Sequence, residues 1–471
     1  MPARRAAEPA TSASEEDETV TRAAAIDPAI FKAYDVRGIY PTELNDEAAY
    51  RIARALVRFL GAERVAVGRD MRVSSPALAA AVIRGITDQG ADAIDLGLTT
   101  TDELYFAVGK FDYPAGVMIT ASHNPGRYNG LKLCRAEAVA LSSETGVNQI
   151  RDIALSGDFG QPERQGQVTT RDVADDYVRH CLSFIDVGKV RPLKIAVDAG
   201  NGMAGMIIPR VFAHLPGALV PLYFELDGTF PNHPASPIEP ENTAELRRVV
   251  VEQHCDMGVA FDGDADRMFL VDEQGRLLGG DMVTALVAQS LLRTHPHATI
   301  LYNLICSRSV PEVIERGGGV AVRTRVGHSF IKARMREENA IFGGEHSGHF
   351  YFRDNWFADS GLIAFLIVLE LISESGKTVS ELLKPIDTRV RSGEINTEVS
   401  DQQGRMRAIE EHFAARGADI DHLDGITISF PTWWANVRPS NTEPLLRLNV
   451  EADTPGELAG RRDEVLSIIR Q

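Results

Sequence analysis

The chain has 471 residues, of which 44% are hydrophobic and 24% are charged, a composition that is typical of globular proteins and excludes a wholly disordered chain. With 49 Lys and Arg residues against 66 Asp and Glu residues, its formal net charge of −17 disfavours nucleic acid and anionic lipid membranes as partners. Its four cysteines are far apart and no apolar run approaches the length of a membrane span, so we expect a cytoplasmic protein without disulfides, CxxC metal sites or a signal peptide.

We predict that residues 1–27 form a disordered N-terminal extension, because they are rich in Ala, Ser, Thr and Glu and show no apolar period. Ordered structure is expected from about Phe31. A predicted helix opens at Asp46 with apolar residues along one face, and a strand follows at residues 65–67.

Further short apolar runs, each with a helical pattern nearby, predict strands at residues 116–120, 193–197, 257–261 and 299–302. This alternation is typical of βαβ units in mainly parallel mixed sheets, whose functional loops lie at the carboxyl ends of strands. Beyond about Thr388 the pattern changes. Predicted antiparallel strands at residues 426–430 and 445–450 and a final helix over residues 457–469 indicate a smaller α+β domain.

The first candidate loop is Thr120-Ala-Ser-His-Asn-Pro125, which directly follows a predicted strand. Ser122 can attack a substrate or carry a transferred group, and His123 and Lys132 are available for proton transfer. An ordinary Ser/Asn/Pro turn is the alternative.

The second candidate loop places Asp262, Asp264 and Asp266 at alternate positions after an apolar strand. Three converging carboxylates repel one another unless a divalent cation neutralises them, and hard oxygen ligands favour Mg²⁺. An EF-hand is the rival metal site, but Arg267 occupies the position of its invariant glycine and both flanks are predicted strands. A solvated acidic turn is the other alternative.

The third candidate loop, residues 343–349, carries Glu345 and Ser347 at alternate positions. In an extended loop these side chains face the same way and can bind neighbouring hydroxyl groups, so the loop predicts sugar binding. One alternative is a structural turn. The other is a zinc site formed by His346 and His349, for which the sequence offers neither a helix nor a third ligand.

The fourth candidate loop begins at Arg438, whose guanidinium can bind a phosphate through two hydrogen bonds. The side chains that follow add two hydroxyls and one amide, and together with backbone N–H groups they form an anion cradle. These side chains belong to Ser440, Asn441 and Thr442. A hairpin turn with an exposed arginine is the alternative.

A fifth motif favours a different class of enzyme. Residues 200–205 read Gly-Asn-Gly-Met-Ala-Gly after a predicted strand, and Glu225 stands where a dinucleotide-binding turn has its ribose-binding acid. This pattern keeps an NAD-dependent dehydrogenase as an alternative, although that function leaves the Ser122, aspartate and Arg438 loops without a role.

In this order, and from the segment Phe31-Lys-Ala-Tyr-Asp-Val-Arg-Gly38 to about Val450, the four loops resemble the α-D-phosphohexomutase superfamily. The resemblance is to bacterial phosphomannomutase/phosphoglucomutase, and within it to the phosphomannomutases of GDP-mannose synthesis. It implies four domains around a central cleft, three of them α/β and the last α+β. The expected boundaries are residues 28–170, 171–278, 279–388 and 389–471.

The resemblance also implies the roles of the site residues. Ser122 is then a phosphoserine whose oxygen binds Mg²⁺ together with Asp262, Asp264 and Asp266. Glu345 and Ser347 bind sugar hydroxyls, and the distal phosphate is held by Arg438, Ser440, Asn441 and Thr442. The remaining active-site contacts that it implies are Tyr34, Arg37, His123, Lys132, Arg267 and His328.

By this resemblance the chain interconverts mannose 6-phosphate and mannose 1-phosphate, and glucose phosphates are further candidates, through a hexose 1,6-bisphosphate that serves as intermediate and activator. The partner is a small phosphosugar, and a monomer or a homodimer is expected. Phosphoglucomutase and phosphoglucosamine mutase are the alternatives within the superfamily. Outside it, the alternatives are the NAD-dependent dehydrogenase and a non-catalytic phosphosugar-binding protein.

Two positions depart from the family pattern. Ile305 stands where many relatives have a basic residue, so one phosphate contact is either missing or supplied by Arg308. His346 stands where related members carry Met, Gln or Glu. This difference favours hexose phosphates without an amino group over glucosamine phosphate, and it does not separate mannose from glucose.

Overall fold

The computed structural model describes residues 26–440 and 444–471, with the exception of the His328 side chain. The predicted N-terminal extension, apart from its last two residues, lies outside this part of the chain, as do Asn441 and Thr442. Four sheets organise the described residues, and we name domains I to IV after these sheets in chain order.

Domain I contains a seven-stranded mixed sheet. Its strands are β1 (Val36–Ile39), β2 (Arg64–Arg69), β3 (Asp92–Leu98), β4 (Ala115–Ile119), β5 (Tyr128–Arg135), β6 (Val139–Ala140) and β7 (Val168–Thr170). Its helices are α1 (Asp46–Leu60), α2 (Ser75–Asp88), α3 (Thr101–Lys110) and α4 (Asn148–Ser156). The order β1-β5-β4-β2-β3-β7 is parallel from β4 to β7 and antiparallel from β1 to β4, and β6 pairs with β5.

Domain II contains a five-stranded mixed sheet with the order β12-β11-β10-β8-β9, whose central strands β10 and β8 are parallel. The strands are β8 (Lys194–Asp198), β9 (Ala218–Leu222), β10 (Met257–Phe261), β11 (Met268–Asp272) and β12 (Leu277–Leu278). The helices are α5 (Ala174–Leu182), α6 (Ala204–Phe212) and α7 (Ala244–Glu252).

Domain III contains a second five-stranded mixed sheet, with the order β14-β13-β15-β16-β17. The strands are β13 (Thr299–Asn303), β14 (Val320–Thr324), β15 (Phe342–Gly344), β16 (Phe350–Phe352) and β17 (Ala358–Asp359). The helices are α8 (Gly280–Thr294), α9 (Ser309–Arg316), α10 (His328–Glu338), α11 (Gly361–Ser375) and α12 (Val379–Leu383).

Domain IV contains a five-stranded sheet with the order β18-β22-β21-β20-β19, and every pairing in it is antiparallel. The strands are β18 (Val390–Glu398), β19 (Asp419–Asp421), β20 (Ile426–Ser429), β21 (Trp433–Pro439) and β22 (Leu445–Ala452). The helices are α13 (Gln402–Ala414) and α14 (Pro455–Ile469).

The predicted fold class, three α/β domains and one α+β domain, is confirmed. Helix α1 begins after Asn45, whose side chain accepts a hydrogen bond from the Ala48 N–H, and it is capped at its carboxyl end by Gly61, which has a left-handed φ of 61°. Antiparallel pairs form a larger share of the three α/β sheets than the βαβ pattern predicts, because each of these sheets turns back on itself through a hairpin.

These hairpins position the candidate loops. Residues 120–127 connect β4 to β5, residues 262–267 connect β10 to β11, and residues 345–349 connect β15 to β16. The fourth candidate loop lies between β21 and β22, which are also antiparallel. Each domain therefore contributes one candidate loop. Each loop connects two antiparallel strands and follows the carboxyl end of the first of them.

The cores of the domains are unequally connected. Domains II and III share one large hydrophobic core that includes most of α8 and α11, and domain I has a core beneath α1 and α2. Domain IV has its own core between its sheet and its two helices. A small apolar cluster of Leu304, Ile305 and Trp434 joins it to domain III. Domain IV therefore shares little apolar surface with the rest of the described residues.

Candidate active site

Ser122 occupies a strained and firmly held turn. Its φ is 49°, in the left-handed region, and its N–H donates to the Thr120 hydroxyl at 2.9 Å. The buried Arg72 donates to the carbonyl oxygens of Ser122 and Asn124 at 2.7 and 2.6 Å, and to those of Pro125 and Tyr128 at 2.9 and 3.1 Å. One arginine thus holds the whole first loop, a role that the sequence analysis missed.

The Ser122 hydroxyl contacts the second loop directly. Its Oγ donates to Asp262 Oδ2 at 2.7 Å and accepts from Arg267 Nη2 at 3.0 Å. His123 Nδ1 lies 3.2 Å from the same oxygen. The pKa of His123 is well below its usual range, first because Arg267 lies nearby and then because the ring is buried, so the imidazole is neutral at pH 7.

The three aspartates converge as predicted. Asp262, Asp264 and Asp266 are buried, and each offers a carboxylate oxygen within 4.8 Å of those of the other two. Their loop joins the two antiparallel strands β10 and β11, which excludes the helix–loop–helix of an EF-hand. Burial also excludes a solvated acidic turn.

Two features of this cluster suit a cation. The Oδ1 atoms of Asp264 and Asp266 are buried and accept no hydrogen bond from any described residue. Burial raises the pKa of Asp262 to about 7, whereas Lys132 holds the pKa of Asp264 below its usual range against the effect of burial. The residues present therefore fit a hard divalent cation, which would stabilise the ionised form of all three carboxylates.

Lys132 lies on the other side of the aspartates. Its Nζ donates to Asp264 Oδ2 at 2.7 Å and to Asp266 Oδ2 at 2.5 Å. Burial alone would lower the pKa of Lys132, but the two carboxylates outweigh burial and raise it well above its usual range. Lys132 is thus a permanent cation, so it can stabilise negative charge but cannot accept a proton at neutral pH.

A cavity of about 190 Å³ connects these groups and brings seven of the predicted residues together. They are Tyr34, Arg37, Ser122, His123, Lys132, Asp266 and Arg267. Arg37 donates to Asn124 Oδ1 at 2.5 Å and to Asp35 Oδ2 at 2.5 Å, so it is oriented from both sides. Of His328, the structure gives only the backbone, at the first residue of α10.

The same cavity is lined by His349, Asp359 and Tyr105, which the sequence analysis did not assign to the active site. His349 Nε2 lies 3.8 Å from Asp266 Oδ1, and burial lowers the pKa of its imidazole. Asp359 pairs with Lys332 at 2.5 Å. The sequence did contain a signal for His349, because this residue lies four positions after Glu345 in the third candidate loop. The sequence analysis considered His349 only as a zinc ligand.

The third loop is a tight hairpin turn and not an extended loop as predicted, because the Glu345 N–H donates to the His349 carbonyl oxygen across it. The two predicted sugar ligands nevertheless face the same way, and Ser347 Oγ donates to Glu345 Oε2 at 3.3 Å. Tyr351 and Asn303 also donate to this carboxylate, at 2.6 and 3.2 Å. Glu345 is therefore held in one orientation.

The zinc alternative is not supported. His346 Nδ1 lies 3.9 Å from Asp281, whereas His349 approaches Asp266 and Asp359. His349 and these two aspartates are close enough to form a metal cluster, but each aspartate already pairs with a lysine.

The glycine-rich turn of residues 200–205 has a structural role. The Met203 N–H donates to the Gly263 carbonyl oxygen at 2.9 Å, and a Cβ on Gly202 would lie 2.7 Å from that oxygen. The turn thus packs against the aspartate loop, so the N-terminus of α6 is covered by protein where a dinucleotide would place its pyrophosphate.

In the fourth loop, Arg438 is nearly buried and pairs with Glu394 of β18 at 2.5 Å. Burial lowers the pKa of its guanidinium, and Glu394 partly offsets this effect. Ser440 begins the turn between β21 and β22, where its N–H donates to the Leu445 carbonyl oxygen. Asn441 and Thr442 lie outside the described residues. Arg438 does not line the cavity beside Ser122.

Arg308 was expected as the residue that could supply the phosphate contact missing at Ile305. The structure does not support this role. Arg308 Nη1 donates to the Phe430 carbonyl oxygen at 2.8 Å, and its N–H donates to Glu451. It therefore belongs to the contact between domains III and IV. Ile305 is buried there and packs near Trp434.

Among the described residues, no helix has both the length and the apolar character needed to cross a membrane.

Comparison with known proteins identifies the four domains as one family. Four regions match the phosphoglucomutase/phosphomannomutase alpha/beta/alpha domain I (residues 28–161), domain II (175–275), domain III (279–388) and C-terminal domain (394–468).

Curated relatives match over nearly the whole chain. The phosphomannomutase of Salmonella montevideo is 40% identical over 449 residues, covering 93% of this chain and 98% of its own. The phosphohexose mutases of Xanthomonas campestris pv. campestris (strain ATCC 33913) are 40% identical over 447 residues, covering 93% of this chain and 99% of theirs. A solved phosphoglucomutase/phosphomannomutase family protein from Burkholderia thailandensis is 32% identical with a TM-score of 0.86, covering 94% of this chain and 98% of its own. Since all four domain types occur in order and the relatives align end to end, the chain belongs to the phosphoglucomutase/phosphomannomutase family.

Proposed function

We propose that this protein is a phosphomannomutase that interconverts mannose 6-phosphate and mannose 1-phosphate. The observation that carries the proposal is the contact of Ser122 Oγ with Asp262 at 2.7 Å and with Arg267 at 3.0 Å, between two loops from different domains. A hydroxyl held between a carboxylate of a cation site and a guanidinium is placed to carry a phosphoryl group. The names of the Salmonella and Xanthomonas relatives support the same activity.

We assign the cation site to Asp262, Asp264 and Asp266, together with an oxygen of phosphorylated Ser122, and we assign Mg²⁺ as its occupant. The unpartnered Oδ1 atoms of Asp264 and Asp266 support this assignment. When bound, the cation supplies positive charge that makes the phosphoserine a better phosphoryl donor.

In the proposed reaction, a hydroxyl oxygen of the sugar monophosphate attacks the phosphorus of phosphorylated Ser122 and the bond between phosphorus and Oγ breaks. The product is a hexose 1,6-bisphosphate and free Ser122. Arg267 and Lys132 stabilise the charge on the transferred group, because both are cations that already contact this part of the site.

Two neutral imidazoles can handle the protons of this step. His349 lies between Ser347 and Asp266, on the side of the proposed sugar loop, and can accept the proton of the attacking hydroxyl. His123 lies next to Ser122 Oγ and can donate a proton as that oxygen leaves. Both histidines have lowered pKa values. His123 must therefore receive a proton from solvent or substrate before it can donate one to Ser122 Oγ.

The second half of the cycle requires the bisphosphate to turn around, so that its original phosphate reaches Ser122. We assign Arg438, Ser440, Asn441 and Thr442 to the phosphate that is not reacting, and Glu345 and Ser347 to the sugar hydroxyls. The separate core of domain IV supports a hinge that admits this reorientation and closes over the intermediate to exclude water.

A coupled assay with mannose 1-phosphate and glucose 1-phosphate, each with a trace of the matching bisphosphate, tests the proposal. We expect turnover of mannose 1-phosphate that depends on Mg²⁺ and is lost in Ser122→Ala. Turnover restricted to glucose 1-phosphate would make the protein a phosphoglucomutase. Absence of turnover with both sugars, in protein that takes up phosphate on Ser122, would contradict the assignment to hexose phosphates.

We also infer a reducing compartment such as the cytoplasm, because the four thiols are all buried and unpaired. Burial raises the pKa of Cys134 to about 12, which keeps this thiol unreactive. Alkylation of the unfolded protein without prior reduction should label all four cysteines. Incomplete labelling of protein taken directly from cells would contradict this inference.

A further inference from the structure

The loop that carries the three aspartates is strained and is held from two sides. Ala265, between the second and third aspartates, has a φ of 67°, in the left-handed region that favours glycine. Such a conformation persists only where the surrounding contacts fix it. The Gly263 carbonyl oxygen accepts from the Met203 N–H of domain II. The next carbonyl oxygen, that of Asp264, accepts from the Thr101 N–H at 3.2 Å, so this second contact connects the aspartate loop to domain I.

The Thr101 side chain makes a further contact with the same aspartate. Its Oγ1 donates to Asp264 Oδ2 at 2.6 Å, and both residues are fully buried. Lys132 Nζ donates to the same carboxylate oxygen at 2.7 Å. Asp264 Oδ1, in contrast, is buried and has no hydrogen-bond partner among the described residues. The two donors thus hold the carboxylate by one oxygen and leave the other, Oδ1, available to a cation.

Lys132 does not provide this orientation by itself. Its Nζ also donates to Asp266 Oδ2, at 2.5 Å, so one ammonium group on a flexible side chain is shared between two aspartates. The Thr101 hydroxyl donates to Asp264 alone, and it belongs to a short β-branched side chain with restricted rotation. Thr101 therefore adds direction to the contact, whereas Lys132 adds charge.

The start of α3 holds Thr101 in place. Thr100 is the N-cap residue and forms a capping box with Glu103, in which the two N–H groups donate to the partner side chains at 2.7 and 3.0 Å. Tyr177 of α5 donates to Asp102, the residue after Thr101, at 3.0 Å. The first N–H groups of a helix have no partner within the helix, so that of Thr101 is available to the aspartate loop.

We propose that Thr101 is a positioning residue for the cation site. Its N–H fixes the backbone of the aspartate loop, and its hydroxyl orients the Asp264 carboxylate so that Oδ1 is left for the cation. Thr101 acts through Asp264 and is not itself a ligand. This inference rests on the proposed function, because it assigns a further residue to the proposed cation site.

Cation binding measured without sugar tests this inference. Ser122→Ala cannot carry phosphate, so in this background every molecule has the same unphosphorylated site. The probe is Mn²⁺, which shares the oxygen-ligand preference of Mg²⁺ and whose unbound form is counted by electron paramagnetic resonance. We expect Thr101→Val to weaken Mn²⁺ binding by about ten- to a hundred-fold, the usual loss when a residue that orients a metal ligand is replaced. Thr101→Ser keeps the hydroxyl and should retain most of the affinity.

Two control variants accompany this titration. Asp264→Ala should reduce Mn²⁺ binding, which shows that the measured ion occupies the proposed site. Thr87→Val removes another buried hydroxyl of domain I, which donates to the Arg84 carbonyl oxygen at 3.1 Å within its own helix. We expect no change in Mn²⁺ affinity for this variant. Thermal denaturation of the metal-free proteins measures their stability separately.

The inference is wrong if Thr101→Val binds Mn²⁺ as tightly as its background, or if Thr101→Ser loses as much affinity as Thr101→Val. Thr101→Ala is the second variant without a hydroxyl. If neither it nor Thr101→Val folds while Thr101→Ser does, the role of Thr101 is structural and the inference is also wrong.

The same titration separates this inference from the proposed function. A background that binds no Mn²⁺, or an Asp264→Ala variant that binds it unchanged, would contradict the cation site itself and the inference with it. Mn²⁺ affinity that depends on the Thr101 hydroxyl, in a protein that turns over neither hexose phosphate, would support the inference and contradict the proposed substrate.

Discussion

Replacement of Arg72 by lysine tests whether one buried arginine holds the Ser122 loop. Arg72 forms five side-chain hydrogen bonds, one to Asp70, three to carbonyl oxygens of the loop and one to the carbonyl oxygen of Tyr128, where β5 begins. Lysine keeps the charge but has only three N–H donors at one point, so at least two of these bonds are lost. At about 1.5–3 kcal/mol for each hydrogen bond to a charged group, the free energy of unfolding of domain I should fall by about 3–6 kcal/mol.

Thermal denaturation and steady-state kinetics measure the two consequences of this change. We expect a lower midpoint for the unfolding of domain I and a kcat at least ten-fold lower, because Ser122 Oγ is no longer held against Asp262 and Arg267. Arg69→Lys, three residues earlier, is the matched control. If Arg72→Lys keeps both the wild-type melting temperature and the wild-type kcat, the loop is held by other contacts and the reasoning is wrong.

Three further changes test other parts of the site. Asp264→Asn removes one negative charge from the cation site, so activity should fall and more Mg²⁺ should be needed, and an unchanged Mg²⁺ titration would contradict the metal assignment. Arg438→Ala should lower kcat/KM about ten- to a hundred-fold for mannose 1-phosphate and mannose 6-phosphate alike, whereas a loss for only one of them would exclude a reorienting intermediate. Burial raises the pKa of Glu103 from its usual 4.5 to about 7, so the folded protein holds this proton more tightly than the unfolded chain and loses up to about 3 kcal/mol of stability as the pH rises through 4.5–7. Glu103→Gln should remove this loss, and identical pH dependence of unfolding in variant and wild type would contradict it.

The sequence was sufficient to predict the fold class, and it pointed to the loops that form the candidate site. Ser122 and the three aspartates each follow a fully buried strand, and a hydrophobic run that ends in polar residues is a local pattern. Their convergence followed from the general rule that functional loops lie at the carboxyl ends of strands. Their proposed roles came from the family resemblance.

What could not be predicted depends on contacts between residues far apart in the chain. Arg72 reads as an ordinary polar residue after a strand, and its burial arises only because the Ser122 loop, about fifty residues later, folds around it. Arg308 was considered as a phosphate ligand because it is near Ile305 in sequence, yet it binds carbonyl groups of domain IV. The sequence analysis did not assign His349 to the active site, because its neighbour Asp266 lies in another domain.

The hairpin connections have a consequence for how such a protein can change its substrate. Each candidate loop is fixed at both ends by paired strands, so its shape cannot be adjusted without disturbing a sheet. The distances between loops, in contrast, depend only on how the four sheets are placed relative to one another. Substitutions at the contact between Trp434 and Ile305, remote from Ser122, would then shift the proposed phosphate loop as a rigid unit relative to Ser122. Selectivity for the length and stereochemistry of a sugar can therefore be tuned at the joints between domains, while the chemistry of each loop stays the same.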